Sequence, residues 1–470
     1  MKRRQDGPKS DQDGPKSKED TQIDLLVDSF RADGVAVGVA RCPDGSLDYL
    51  YVRGELLVRD EYLDQVQSLI RGTVTDGFQD GVTLLTLDSR GNRDVADSLR
   101  LIDERLGVGV ATPNHILSVC PVAPCPATEP DSAPGDAPPD PGVCPGGGEG
   151  ILVYVPDTGL LAGAAEHIWL AGVQGEPDPL PPPDSAGQVP IPVYAGHGTF
   201  VAGVLRCMAP LCQVRVSRDF RVAGGISEYK LIKQLAQALG LMPDIISLSA
   251  GTTSRKDLPL LSFELFWRRY QHYKGLIMVA AAGNNGTRRP FWPAAFPQVL
   301  SVGALAANWR ARAHFSDYGS WVDTYAPGAD LVNAFATGTY RYGEPPRTGE
   351  HRAFHGMARW SGTSFATPLV AGLLATRMSR SGENGRQAAA GLLATARAQT
   401  IAGVGPALLP GLNCAGLNCA GLNCAGLNCA GQDCAGLGGH GACGCHGDGA
   451  GSCGRAGPDG HHYPQHRESC

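Results

Sequence analysis

The chain has 470 residues, long enough for two or three domains and at least one large core. With 43% hydrophobic and 18% charged residues it has the make-up of a folded globular protein, not a disordered one. A formal net charge of -6 gives no electrostatic reason to expect nucleic acid or an anionic membrane as partner, and no stretch approaches the roughly 18 consecutive apolar residues of a membrane span.

Residues 1–21 hold the near-duplicate QDGPKSD and QDGPKSK, rich in charge, Gly and Pro, and are predicted as a disordered tail. The start is basic, as in a signal peptide, but nothing strongly apolar follows Met1 until Ile23. As written, the chain reads as cytoplasmic; a misassigned start site would make it secreted.

Residues 22–119 read as a small α+β unit. GVAVGVARC (34–42), LDYLYVRGELLV (47–58) and GVTLLTL (81–87) alternate or cluster apolar residues as strands do. EYLDQVQSLI and DVADSLRLIDERLG (94–107) carry helical spacing, the second closed by Gly107, and VGVATPNHILSV (108–119) is a last strand. The order β-β-α-β-α-β predicts a ferredoxin-like sheet with two helices on one face.

Residues 120–150 hold nine prolines and five acidic residues with no Lys or Arg, which predicts an extended, flexible linker. Cys120, Cys125 and Cys144 lie in it, and their pairing cannot be read from sequence. In residues 151–403 the segments at 151–156, 213–218, 244–249, 276–283 and 299–305 are nearly continuous apolar runs, as in parallel strands covered on both faces. Helical stretches at 229–240 and 365–379 complete the pattern of an α/β open sheet. Residues 404–470 form a Gly/Cys/His-rich tail. The unit Gly-Leu-Asn-Cys-Ala recurs from Gly411 to Ala430, and nine of the fifteen cysteines lie here. Twenty residues make about one coil of a repeat fold, so the tail is expected not to fold. Its cysteines and His440, His446, His461, His462 and His466 are soft-metal donors, but their spacing is not that of a zinc site.

Three segments of 151–403 carry chemistry. In ILVYVPDTGLL an apolar strand ends at Asp157, at the edge where open α/β sheets place ligands. In YAGHGTFVAGVL, His197 sits between Gly196 and Gly198 ahead of an apolar helical run, so other backbone can approach its ring. In SGTSFATPLVAG, Ser364 stands at the start of a helix, where exposed N–H groups favour negative charge. A serine hydroxyl needs a base, an acid to orient that base, and donors for an oxyanion before it is a useful nucleophile.

DTG, HGTFVAG and SGTSFATPLVAG, in that order, resemble the three catalytic segments of the subtilisin-like serine proteases. ISLSAG (246–251) is similar to the family's substrate-binding strand, AAAGNNG (280–286) to its oxyanion-hole segment, and FSDYGSWVDTYAPG (315–328) to a common structural stretch. The resemblance covers about 151–403. It implies a subtilisin-like three-layer α/β/α fold with a mostly parallel sheet, and a serine endopeptidase working through an acyl-enzyme. Ser364 would be nucleophile, His197 general base and then acid, Asp157 the group that orients the imidazole. Asn284 and the Ser364 N–H would receive the oxyanion. Ser249, Ala250 and Gly251 would bind the substrate main chain, and Ala281, Ala282 and Gly283 would line the first specificity pocket. Family members often have Leu where this chain has Ala250. Pro156, just before the acid, is another departure: it removes a ladder donor.

VATPNHILSV resembles the end of the pro-domain that precedes many members. Residues 22–119 are therefore expected to act as inhibitor and folding aid, with cleavage in 120–150. The expected partner is a peptide or protein, with no nucleic acid, and the expected state a monomer. No cofactor is required by this chemistry. Calcium supports many members, but no acidic loop identifies a site here, and no metal ligand is assigned.

Overall fold

The computed structural model describes residues 18–78, 81–88, 94–119, 127–270, 273 and 275–411. The repeats of the tail, residues 1–17 and the first part of the predicted linker, with Cys120 and Cys125, lie outside these.

The N-terminal domain runs α1 (Lys18–Ala32), β1 (Val37–Arg41), β2 (Leu47–Arg59), α2 (Leu63–Leu69), β3 (Gly72–Phe78), β4 (Val82–Leu87), α3 (Val95–Leu106) and β5 (Ala111–Ser118). Its strands pair antiparallel in the order β5-β2-β4-β3, with β1 also on β2. Helix α3 starts where Asp94 accepts from the Asp97 N–H at 2.8 Å, and stops at Gly107, whose φ of 109° suits glycine. The apolar stripes of α2 and α3 bury Val66, Leu99 and Ile102 against Leu56, Val58 and Leu85 of the sheet. The opposite sheet face buries Leu57, Val82 and Leu84 against Tyr229, Leu261 and Leu265 of the second domain.

Two expectations are corrected here. Strand β3 was hidden because GTVTDGF mixes Gly and Asp into a short run. Helix α1 already starts at Lys18, inside the predicted tail, and Gln22 Nε2 donates to Glu344 Oε1 at 2.6 Å.

The second domain adds β6 (Asp131–Ser132), β7 (Leu152–Asp157), β8 (Gln174–Gly175), β9 (Pro190–Ile191), α4 (His197–Met208), β10 (Gln213–Arg218), β11 (Gly225–Ser227), α5 (Glu228–Ala238), β12 (Ile245–Leu248), α6 (Leu261–Tyr270), β13 (Ile277–Ala281), β14 (Val299–Leu305), β15 (Thr324–Pro327), β16 (Leu331–Arg341), β17 (His351–Trp360), α7 (Thr363–Ser381) and α8 (Gly385–Ala398). Seven parallel strands form one sheet in the order β15-β14-β13-β12-β7-β10-β8. Strand alternation splits the core in two. Val153, Val155, Ile245 and Val279 face a cluster with residues of α4, α7 and α8. Tyr154, Ile246, Met278 and Ala280 face a cluster with residues of α5 and α6. The result is three layers, α/β/α. From β7 the chain moves to β10 on one side and then to β12 on the other, so strand order reverses at β7. The carboxyl end of β7 is therefore the sheet's topological switch point, where open α/β sheets bind ligands.

Residues 127–150 are not a free linker. The Ala127 N–H donates to Ser361 O at 2.8 Å, Asp140 exchanges two main-chain hydrogen bonds with Val332, and the Cys144 N–H donates to Cys207 O at 2.7 Å. Glu129 is 7% exposed and accepts from the Gly343 N–H at 2.8 Å. Long-range partners at 207, 332 and 343 hold a proline-rich stretch that composition alone assigns to solvent. The second domain likewise runs past 403: Tyr325 pairs with Ala407, and Leu408 is fully buried. Cys42 and Cys144 each take part in a disulfide, while Cys207 and Cys212 are free and buried.

Candidate active site

Strand β7 delivers Asp157 to the switch point, where it is completely buried. Its Oδ1 accepts from the Thr158 N–H at 2.7 Å and lies 2.7 Å from His197 Nδ1. A carboxylate at that distance favours the tautomer with its proton on Nδ1, in which Nε2 is the acceptor. Strand β12 pairs with β7 only at Val153 and Tyr154, so Pro156 lies beyond that ladder.

His197 opens α4 directly after Gly196, whose φ is 80°. Trp360 and Phe365 pack on its ring at centroid distances of 5.7 and 5.5 Å. Glycine is required at 198: a Cβ there would stand 2.3 Å from Gly159 O and 3.2 Å from Asp157 Oδ1. The absent side chain lets the Asp157 loop close over the start of α4.

Ser364 is the second residue of α7 and is 1% exposed. Pro368 sits inside the same helix and has no N–H to return to Ser364 O. The Ser249 hydroxyl takes that place, donating to Ser364 O at 2.8 Å. A proline that would ordinarily weaken a helix thus ties the Ser364 backbone to the strand end at 249–251.

Asn284 Oδ1 accepts from both the Thr363 N–H and the Thr363 hydroxyl at 2.9 Å, and the Gly283 N–H donates to Thr363 Oγ1 at 3.2 Å. With its oxygen held by the first turn of α7, the amide presents its NH₂ elsewhere. Gly283 has φ 102°, and a Cβ on it would lie 2.3 Å from Asp317 Oδ2. Ala281 and Ala282 are buried just before it.

Strand β5 of the N-terminal domain runs through this site between two edges. On one side it pairs antiparallel with β11: Ile116 with Ser227, Leu117 with Ile226, Ser118 with Gly225. On the other, Ser118 and Gly251 exchange hydrogen bonds at 3.1 and 3.0 Å. The Val119 N–H donates to Gly224 O at 2.9 Å, and Ser364 Oγ donates to Val119 O at 3.3 Å. His197 Nε2 is buried with no hydrogen-bond partner among the described residues.

The structure brings Asp157, His197, Ser364, Asn284, Ser249, Gly251 and Gly283 around the switch point and the start of α7. Ala250 is buried beside them. Sequence reasoning missed the β11 edge, a three-residue strand before the Ser227 cap of α5. It also missed Asp178, Asp317 and the His115–Glu228 pair, whose partners are distant in sequence. Burial pushes Asp178 up to about 6 and Asp317 up to about 7. Among the described residues no helix is long and apolar enough to cross a membrane.

Residues 148–406, more than half of the chain, match the Subtilase family. The chain is 32% identical over 198 residues to the thermophilic serine proteinase of Bacillus sp. (strain AK1), covering 40% of this chain and 44% of that protein. To thermitase of Thermoactinomyces vulgaris it is 30% identical over 205 residues, covering 41% and 65%. The chain thus spans about half the length of the curated relatives it matches. The fold is similar to that of fervidolysin from Fervidobacterium pennivorans, with a TM-score of 0.52 at 18% identity over 78% of this chain and 61% of that one. The chain belongs to the subtilase family.

Proposed function

We propose that the protein is a serine endopeptidase, made as a zymogen whose N-terminal domain lies in the substrate cleft. The observation that carries the reading is the buried 2.7 Å contact between Asp157 and His197 beside the start of α7, across which β5 is laid as a peptide would be.

In the reaction, the Ser364 hydroxyl gives its proton to His197 Nε2 as it attacks the carbonyl carbon of the substrate. Asp157 holds the tautomer and stabilises the imidazolium that forms. The oxyanion is received by the Asn284 NH₂ and the Ser364 N–H. His197 then protonates the leaving amine, and water hydrolyses the acyl-enzyme by the reverse steps. Substrate main chain adds a strand between β11 and Gly251, the position β5 holds in this structure. Cleavage of the pro-domain belongs between Val119 and Ala127, since residues from Ala127 onward are part of the second domain's packing.

The test is labelling with a serine-directed fluorophosphonate, comparing the wild type with Ser364→Ala, together with the mass of the purified chain. Labelling lost in Ser364→Ala and a new N-terminus between 119 and 127 are expected. A wild type that neither labels nor hydrolyses peptides overturns the reading.

A further inference from the structure

Asp178 lies in the loop between β8 and β9, is 9% exposed, and reaches both halves of the Asp157–His197 pair. Its Oδ2 accepts from the Gly196 N–H at 2.8 Å and from the Thr158 hydroxyl at 3.2 Å. Thr158 Oγ1 accepts in turn from the Gly198 N–H at 3.1 Å, and the Thr158 N–H donates to Asp157 Oδ1. One carboxylate oxygen therefore joins the residue after the acid to the residue before the base. Through Thr158 it also reaches the residue after the base.

We propose that Asp178 is a positioning residue: it locks the Asp157 loop to the start of α4 and places a second negative charge near Asp157. The inference rests on the serine endopeptidase reading above and adds to it.

Two sets of groups act on this carboxylate. Burial raises its affinity for a proton, up to about 6, and the nearby Asp157 adds to that. The Gly196 N–H, the Thr158 hydroxyl and Arg218 at the end of β10 oppose it. Arg221 lines the same cavity of about 280 Å³ that Asp178 borders. Above about pH 6 Asp178 is ionised and favours the imidazolium that forms during proton transfer. Below that pH it is neutral, and that electrostatic support is withdrawn. The hydrogen bonds persist in either state, because a proton on Oδ1 leaves Oδ2 free to accept.

The test compares kcat and KM of the full chain, per fluorophosphonate-titrated site, from pH 5 to 9 for wild type, D178N and D178A. D178N keeps an acceptor oxygen and loses only the charge. Its kcat is expected to fall about three- to tenfold at pH 8, the scale of one partly screened charge, with KM changed less than about twofold. The gap should close towards pH 5, where the wild-type carboxyl is itself neutral. D178A also loses the hydrogen bonds, and its kcat is expected to be low at every pH. A D178N profile that overlays the wild type, or a gap that stays constant with pH, overturns the proposal. If D178A fails to fold, the D178N comparison decides alone. An inactive wild type would instead sink the endopeptidase reading, and this inference with it.

Discussion

The hydroxyl of Ser364 donates to the main-chain carbonyl of Val119, 3.3 Å away, while the acceptor nitrogen of His197 has no hydrogen-bond partner among the described residues. Ser364 is thus engaged by the N-terminal domain: its hydroxyl lies within hydrogen-bond reach of main-chain carbonyls, Val119 O at 3.3 Å and Ser249 O at 3.5 Å, and not of His197 Nε2. Strand β5 is held on both edges, so release requires breaking several main-chain hydrogen bonds at once.

Ser118→Pro tests that hold. The substitution removes the N–H that donates to Gly251 O and places a ring where β5 meets its neighbours. The loss is about 1–3 kcal/mol, so fluorophosphonate labelling of the uncleaved chain should speed up by roughly 5- to 150-fold. Equal initial labelling rates for variant and wild type would show that β5 does not govern access to Ser364.

Asn284→Asp separates the two ends of the Asn284 amide. The acceptor that binds the Thr363 N–H and hydroxyl is kept, while the NH₂ donor becomes an oxygen. The first turn of α7 should stay ordered, with some loss in melting temperature because a carboxyl is now buried. Turnover should drop about 10²–10³-fold, the usual result of losing one such donor. A variant with near wild-type kcat would remove Asn284 from the proposed mechanism.

Much of the candidate site is readable in the sequence because each proposed catalytic group sits in a local signature. An apolar strand ends at Asp157, glycines flank His197, and Ser364 starts an apolar helix. The central strands are readable for the same reason: burial on both faces leaves unbroken apolar runs such as VLSVGAL, which is β14. What is not readable depends on partners far along the chain. His115 meets Glu228 at 3.0 Å, both buried, and the Arg255 N–H donates to His115 Nε2 at 3.2 Å. Nothing around residue 115 announces a carboxylate more than a hundred residues away. The β16–β17 hairpin is similarly obscured, because its register shifts between Ala334 and Thr337 and its strands carry glycines at 338 and 356. Asp178 sits in a proline-rich loop whose composition says only turn.

Asp317 predicts a pH dependence of stability. It is buried, accepts from the Thr287 N–H at 2.8 Å, and its own N–H donates to Gly283 O at 2.9 Å, beneath the Gly283–Asn284 turn. Burial raises it from 3.8 to about 7. A raised acid binds its proton more tightly in the folded state. The unfolded chain loses that proton near 3.8 and the folded chain near 7, so stability falls as pH rises through this window and levels off above it. Asp317→Asn removes the titration. Its melting temperature relative to wild type should climb between about pH 4 and 7 and stay level beyond, by up to ~2–4 kcal/mol in stability. A difference independent of pH would rule out Asp317 as the source.

Gly198→Ala tests the close approach on which the Asp157–His197 contact depends. The added carbon would meet Gly159 O at 2.3 Å and Asp157 Oδ1 at 3.2 Å. The first neighbour is backbone and cannot swing aside as a flexible side chain would, so either the Asp157 loop or the start of α4 must move. The Gly198 N–H to Thr158 Oγ1 bond and the 2.7 Å contact between Asp157 and His197 lie on that boundary. Overpacking of this kind costs about 1–3 kcal/mol, which should appear as a lower melting temperature. An ångström of displacement in a proton-transfer site can cost about 10²-fold in rate, so kcat should fall by that order while KM changes little. Full activity in Gly198→Ala would mean that the two segments need not touch as closely as they do here.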